Sequence, residues 1–425
     1  MCRSIDMKYD SDSFFMRIAL DYAWSFQTLT LPNPCVGSLV LCDNAIIALQ
    51  AHKKAGSPHA EVLACKEAFL YKITHDEVAK RAVLESCKKQ GLNKDNILSY
   101  LINTLQNMQN SKHIHEFITA YHSGIFHNCE FFVTLEPCNH YGKTPPCAEL
   151  LKTIAPKRII IAHEDSTPKA SGGANTLAHI PITHGILRDE AHKLLFPFLQ
   201  WQKKQSFTLF KIAHRLHGDY KNGIISNEDS RIFTHNMRCV ADYIIISGAT
   251  LREDNPLLDT RFSLPFYQQD SINPKILILS KTMQEKDLKN YNIAHRNVSI
   301  IRSAREIPSS GFKIIEGGFA FLNSLLQDIE TENAMPIDCI MGYISTMFNF
   351  DENTAHKIKI ETKILSKYLN SINIHKHVES SKYKKIQYIP AYIATLTDFW
   401  LQKANKKIEN NIANIIYYLF SENAN

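Results

Sequence analysis

The sequence predicts an α/β protein of two domains, and three observations carry that prediction. Its 425 residues exceed what one ordinary core accommodates. Residues 131–135 and 158–162 are short apolar runs rich in β-branched and aromatic side chains, separated by the helical pattern AELLKTI. Strand, helix, strand with short links is the pattern of a sheet covered by helices. Polar WQKKQS then follows Pro197 and a fresh strand pattern opens at Phe207, which sets a linker at residues 197–205 and domains at 13–200 and 206–425.

In chain order, residues 13–27 place Phe15, Ile18, Ala19, Tyr22, Ala23 and Phe26 at helical spacing. A turn at Pro32-Asn33-Pro34 leads into strands at 36–41 and 45–49, a hairpin around Asp43-Asn44 that lacks the usual glycine. Ser57 as N-cap and Pro58 as first helical residue start a helix with Val62, Leu63, Cys65, Ala68 and Phe69 inward. Residues 72–127 read as a helical hairpin on the surface of the first domain, with a lid or a subunit contact as the other uses. Beyond Cys147 come the strand at 158–162, a loop at 171–173, a short strand at 180–186 and a helix at 189–196 that stops at Pro197. A tail at 401–420 is helical in pattern.

Composition excludes several classes. Hydrophobic residues make up 44% and charged ones 21%, the balance of a globular protein, and a net charge of +6 over this length gives no global signal for nucleic acid or membrane. The lysines between Lys357 and Lys385 read as a solvated face. The N-terminus MCRSIDMKYDSDS has no apolar core of a signal peptide and no run is long enough to span a bilayer, so no membrane contact is expected. The scattered cysteines follow no framework spacing and fit reduced thiols in the cytoplasm.

Chemistry concentrates in FFVTLEPCNHYGKTPPCAELL at 131–151. Cys138 stands at the end of a strand, and Cys147, after Pro145-Pro146, opens a helix whose dipole favours a thiolate. A catalytic zinc site needs a third ligand, and SPHAEV upstream offers His59, with Glu61 two residues on as a proton carrier that is not a ligand. Other readings of these residues are a surface histidine with two buried thiols, or a closed structural zinc site completed by His140.

TLEPCNHYGKTPPC at 134–147, with PNPCVG at 32–37 and GSPHAEV at 56–62, resembles the bifunctional pyrimidine deaminase/uracil reductase of riboflavin biosynthesis. The resemblance implies a cytidine-deaminase-like three-layer α/β domain, here with a helical insertion at 72–127, followed by a dihydrofolate-reductase-like α/β domain. It implies Zn2+ on His59, Cys138 and Cys147, Glu61 as the catalytic acid and base, and Asn33 on the substrate. Asn33 read by itself is equally a turn residue.

In the second half KIAHRLHG at 211–218, RIFTHNMRCVADYIIISGATLREDNPLLDTR at 231–261 and IIEGG at 314–318 resemble the reductase of the same family. That likeness implies NADPH, with Ala213, Thr250, Asp254, Gly317 and Gly318 on the cofactor side. It puts Lys211, Arg238, Leu258, Arg261 and Glu316 on the substrate side, the two arginines anchoring the ribose phosphate. His217, Ile224 and Asn255 depart from the family pattern, and beyond about residue 345 the likeness fades. The expected activity is deamination of a pyrimidine ribosyl phosphate followed by NADPH reduction, in a cytoplasmic homo-oligomer. Deamination of a base in nucleic acid, or a zinc-stabilised scaffold without activity, are the competing functions.

Overall fold

The computed structural model describes residues 11–92, 96–142, 144–165, 172–215, 220, 225–269, 273–332, 337–345, 369–376 and 390–396. The chain divides into two compact units, Met1–Leu199 and Gln200–Asn425.

The first unit opens with helix α1 (Ser11–Trp24), hairpin strands β1 (Gly37–Cys42) and β2 (Ala45–Ala51), and helix α2 (Ala60–His75). Asp43 and Asn44 both take positive φ, 48° and 64°. That is the turn matching the twist of a two-residue hairpin, reached here without glycine. Helices α3 (Glu77–Lys89), α4 (Ile97–Asn107) and α5 (Ser111–Tyr121) follow, then β3 (Cys129–Leu135), α6 (Cys147–Ile154), β4 (Arg158–His163), α7 (Gly173–Thr176), β5 (Ile182–His184) and α8 (Arg188–Lys204). The sheet runs β2-β1-β3-β4-β5, with β1 antiparallel to β2 and β3, and β3, β4 and β5 parallel.

Alternation along β3 makes this a three-layer unit. Phe131, Val133 and Leu135 join a core with α2 and α6, whereas Phe132 points the other way and meets Phe15 of α1 at 5.6 Å between ring centroids. At Gly37 a Cβ would lie 2.3 Å from the Ala19 carbonyl oxygen, so only glycine lets α1 settle on β1.

Three expectations are corrected. The insertion contributes three helices rather than a hairpin, and it is not an ornament: Val83, Cys87, Leu101, Leu105, Ile114, Phe117 and Ile118 belong to the same core as Val62, Phe69 and Phe131. Ser57 does not cap α2. Its hydroxyl donates to the Lys54 carbonyl at 2.7 Å, closing its own turn, and His59 takes the N-cap position with no side-chain cap. Lastly, α8 runs through Pro197 to Lys204, across the stretch read as a linker. Proline removes the N–H that would bond the Lys193 carbonyl. Buried Gln27 donates its side-chain amide to Lys193 O at 3.3 Å and Leu194 O at 3.0 Å, so the opened turn is satisfied from outside the helix.

The second unit contains β6 (Ser206–Arg215), α9 (Glu228–Val240), β7 (Tyr243–Ser247), α10 (Gly248–Asp254), α11 (Pro265–Gln268), β8 (Lys275–Leu279), β9 (Val298–Ile301), β10 (Gly311–Glu316), α12 (Phe319–Glu332), β11 (Cys339–Ser345), β12 (Leu369–Lys376) and β13 (Pro390–Leu396). Its sheet is ordered β12-β13-β11-β6-β10-β7-β8-β9, parallel from β9 through β11, with β13 antiparallel to β11 and β12 antiparallel to β13. Apolar clusters are built on alternate residues of β7: Ile245 on one side with α12, Ile244 and Ile246 on the other with α10. Both units are α/β, as expected. The helical tail expected at 401–420 and most of the lysine-rich run lie outside the described residues.

Candidate functional site

The two helices that start at the site aim their N-termini at the same point. His59 is the N-cap residue of α2 and Cys147 the first residue of α6. Cys138 comes from the turn after β3. That turn is held by Glu136, whose buried carboxylate accepts from the backbone N–H of Asp165 at 3.0 Å and of Ala174 at 2.8 Å. Gly173 packs so closely on it that a Cβ would lie 1.9 Å from the Pro137 carbonyl oxygen.

His59 Nδ1 lies 3.6 Å from Cys138 Sγ and 3.4 Å from Cys147 Sγ, and the three donor atoms are all within 4.8 Å of one another. Zinc bonds of about 2.3 Å to sulfur and about 2.0 Å to nitrogen, at a tetrahedral angle, put N and S roughly 3.5 Å apart. The donors therefore fit zinc in both kind and spacing. Among the described residues no fourth His, Cys, Asp or Glu joins this group, and His140 is exposed outside it, so the closed structural site is not formed. A three-donor set leaves a coordination position for water, as catalytic sites do.

Electrostatics suit thiolate ligands. The Cys147 backbone N–H donates to Cys138 Sγ at 3.4 Å. The hydrogen bond from the Cys147 side chain, followed by that from His59, holds the Cys138 thiol down to about 4, and Cys147 is raised in return. Glu61, in the first turn of α2, is 4% exposed, and burial pushes its carboxyl up to about 7. A carboxyl poised near neutrality both takes and returns a proton at physiological pH.

One residue of this site escaped the sequence. His52, at the end of β2 and buried, places Nδ1 3.1 Å from the Pro58 carbonyl and Nε2 3.3 Å from the side-chain nitrogen of Asn33. Burial, then the charge of His59, pushes it down to about 4, so the ring is neutral: Nδ1 donates to Pro58 and Nε2 accepts from Asn33. The Asn33 amide is thereby fixed with its oxygen unspent. The motif AHKKAGSPHAEV contains His52, but the contact that gives it a task crosses 19 positions to Asn33.

In the second unit three of the sequence-selected residues, Lys211, Arg238 and Glu316, meet across β6 and β10. Lys211 and Glu316 face each other in register across these strands. Arg238 grips Glu316 with two bonds of 2.8 Å, through Nε and Nη2, and donates Nη1 to the Asp259 carbonyl at 2.9 Å. Burial opposes the charge of Glu316, but Arg238 outweighs it and holds the carboxyl down to about 2. Arg238 is thus engaged within the protein, while Arg261 is half-exposed, paired with Asp259 at 3.1 Å and stacked on Phe262. Leu258 is buried at a φ of 50°, and Arg296, which the sequence did not single out, donates to its carbonyl at 3.1 Å.

Thr250 is tied to Ser247, the N-cap of α10, and Asp254 closes that helix. Asn255 follows in the left-handed region at a φ of 39°, a conformation asparagine tolerates well. Gly317 and Gly318 link β10 to α12, a strand–turn–helix start suited to a phosphate. A Cβ would meet the ring of Phe321 at 2.5 Å from the first and that of Tyr220 at 2.1 Å from the second. Ala213 lies two residues beyond Lys211 on the same face of β6. His217 and Ile224 lie outside the described residues.

The model of the cytidine and deoxycytidylate deaminase zinc-binding region matches residues 9–163. The riboflavin biosynthesis protein RibD of Aquifex aeolicus is 29% identical over 271 residues, 62% of this chain and 59% of that relative. That of Buchnera aphidicola is 29% identical over 332 residues, 75% of this chain and 70% of the relative. The chain therefore spans less than two thirds of the Aquifex relative it matches. A crystal form of Acinetobacter baumannii RibD shares the fold, with a TM-score of 0.51 at 21% identity over 91% of this chain and 99% of that one.

Proposed function

We propose, from its kinship with the RibD riboflavin biosynthesis proteins, that this chain is a bifunctional enzyme. It deaminates 2,5-diamino-6-ribosylamino-4(3H)-pyrimidinone 5′-phosphate in its first unit. It then reduces the ribosyl chain in its second, giving 5-amino-6-(5-phosphoribitylamino)uracil. The observation that carries the reading is the meeting of His59, Cys138 and Cys147 around one point with buried Glu61 beside them.

Zinc on those three ligands supplies a Lewis acid that brings water into play as a nucleophile near neutral pH. Glu61 accepts one proton from the attacking water and gives it to the ring nitrogen, then carries the second from the new hydroxyl group to the exocyclic amine, which leaves as ammonia as the C–N bond breaks. Asn33, fixed by His52, offers its side-chain oxygen to the pyrimidine. The two helix N-termini at His59 and Cys147 favour the thiolate forms of the ligands.

In the second unit Ala213, Thr250, Asp254 and the Gly317-Gly318 turn would hold NADPH, which would supply the hydride for reduction of the opened sugar. Lys211, Leu258 and Glu316 line the substrate side. Arg261 offers its guanidinium to the phosphate, with Arg238 behind it holding Glu316 in place. Deamination of a nucleic-acid base is not favoured. Action in the cytoplasm and self-association belong to this proposal, and light scattering on the purified protein tests the latter.

The test is incubation of the zinc-loaded protein with the diaminopyrimidine ribosyl phosphate, with and without NADPH, following ammonia and cofactor absorbance separately. Ammonia release without NADPH, and NADPH oxidation only with it, is the expected result. No ammonia from the zinc-loaded protein would overturn the deaminase assignment.

A further inference from the structure

The loop that carries Leu258 and Arg261 is held by its backbone carbonyls, and the donors are side chains from elsewhere in the second unit. Helix α10 ends at Asp254, and Asn255 and Leu258 both take positive φ, 39° and 50°. Asparagine accepts that region readily. Leucine does not, because its Cβ crowds the following carbonyl. A residue held there persists only where its surroundings over-determine it, and such residues collect at ligand-binding sites.

Here the surroundings are a clamp at residues 292–296, between β8 and β9. Asn292 meets Asn255 twice: its backbone N–H donates to the Asn255 side-chain oxygen and its side-chain amide to the Asn255 carbonyl, both at 2.8 Å. Four residues on, Arg296 donates Nη1 to the carbonyls of Leu257 and Leu258, at 3.2 and 3.1 Å, and Nη2 to that of Pro274 at 3.5 Å. Ile293, between them, is buried in the cluster that also takes the Leu258 side chain. Arg238, gripping Glu316, donates to the Asp259 carbonyl at 2.9 Å. The carbonyls of residues 255, 257, 258 and 259 therefore all accept from side chains, which fixes the path of a loop with no regular structure of its own. Asp259 in turn holds Arg261, with its carboxylate 3.1 Å from the guanidinium.

We propose that Arg296 is a positioning residue for the reductase: by holding the carbonyls of Leu257 and Leu258 it fixes the left-handed turn at Leu258, and so sets where Asp259 and Arg261 stand to meet the substrate's phosphate. Both of its Nη nitrogens are engaged with backbone oxygens, so it acts through Arg261 rather than on the phosphate itself. The inference rests on the assignment of Arg261 to the phosphate made above.

The test measures NADPH oxidation by full-length wild type, Arg296→Ala, Arg296→Lys, Arg261→Ala and the Arg296→Ala/Arg261→Ala double variant, with denaturation curves alongside. Each is given the deaminated pyrimidine with and without its 5′-phosphate, and the readout is the phosphate preference, the ratio of kcat/KM for the two forms. Misplacing a binding group by a small distance costs up to about 100-fold, so Arg296→Ala should lower that preference about 10- to 100-fold while the KM for NADPH stays near wild type. Arg296→Lys, which keeps one charged donor, should recover part of the loss. Once Arg261 is gone, removing Arg296 should lower the preference no further, since residues that act through one contact are not additive. An unchanged preference in Arg296→Ala, with both substrate forms equally impaired, would make the residue merely structural and overturn the proposal. Multiplicative losses in the double variant would overturn it too, by making Arg296 a phosphate contact of its own. A preference unmoved by Arg261→Ala would instead strike the placement of the phosphate, and this inference with it. Should Arg296→Ala not fold, Arg296→Lys with and without Arg261 decides by the same criterion.

Discussion

The side-chain amide of Gln27 stands in for the backbone N–H that Pro197 lacks. It reaches the carbonyl of Lys193, four residues before the proline, and that of Leu194. The Lys193 carbonyl loses its helical donor to the proline, and an unsatisfied buried polar group costs about 1–3 kcal/mol. Gln27→Leu should therefore lower the unfolding free energy by roughly that amount. In a Pro197→Ala background, where the helix regains its own N–H, the same change should cost less. Equal losses in both backgrounds by denaturant titration would disprove the pairing.

Glu61 carries the proton traffic without being a ligand. It is absent from the group of donor atoms, yet buried beside them. Glu61→Gln should bind zinc at wild-type stoichiometry and release ammonia about 10²- to 10⁴-fold more slowly. Metal content by atomic absorption and ammonia release on the same sample separate the two effects. A variant that keeps wild-type turnover would remove Glu61 from the mechanism.

The chemistry of the first unit was legible because its ligands lie in contiguous motifs. The run of turn residues between Cys138 and Cys147 and the Pro-His-x-Glu order fix residue types at short range, where sequence spacing translates directly into geometry. Long-range devices were not legible. The histidine that orients Asn33, the glutamine that completes a helix 167 positions later and the arginine that locks Glu316 depend on contacts between elements, and no local pattern announces them. The cap of α2 was misassigned for a related reason. Serine is the better N-cap by propensity, but the turn at Lys54–Ser57 consumes its hydroxyl, and the chain starts the helix at the residue whose ring the metal site requires.

His52 gives the first unit an acid limit. Its folded value is about 4 against an ordinary 6.5, so between those pH values the folded state binds fewer protons than the unfolded chain. Stability from this group is complete above 6.5 and is lost as pH falls toward 4. Protonation of the folded ring, as pH falls through about 4, also puts an N–H where Asn33 needs an acceptor, so deamination should fail there. Melting temperatures recorded across that range should fall more steeply for wild type than for His52→Gln, which has no ring to protonate. Parallel curves would show that His52 does not set the limit.

Zinc should matter to one activity alone. Chelation should lower the melting temperature of the first unit, since a metal bound only by the folded state adds its binding free energy to stability. Ammonia release should stop. Oxidation of NADPH by the already deaminated pyrimidine should continue, because among the described residues none of the second unit belongs to the metal-binding group. Loss of both activities on chelation, restored together by zinc, would contradict this division of labour.

The two arginines of the second unit should fail differently. Arg238 is buried and bidentate to Glu316, which burial would otherwise force toward its neutral form. Removing one partner of a buried pair leaves a charge without compensation and costs about 3–5 kcal/mol. Arg238→Ala should destabilise the unit and impair reduction with it. Arg261 stacks on Phe262 with its side chain half in solvent, so Arg261→Ala should leave stability near wild type and raise the KM for the phosphorylated substrate, with kcat little changed. The decisive measurement is the pair of KM values together with the pair of denaturation curves. If Arg261→Ala leaves KM untouched while a stable Arg238→Ala raises it, the phosphate belongs to Arg238, and its bond to Glu316 must open when substrate binds.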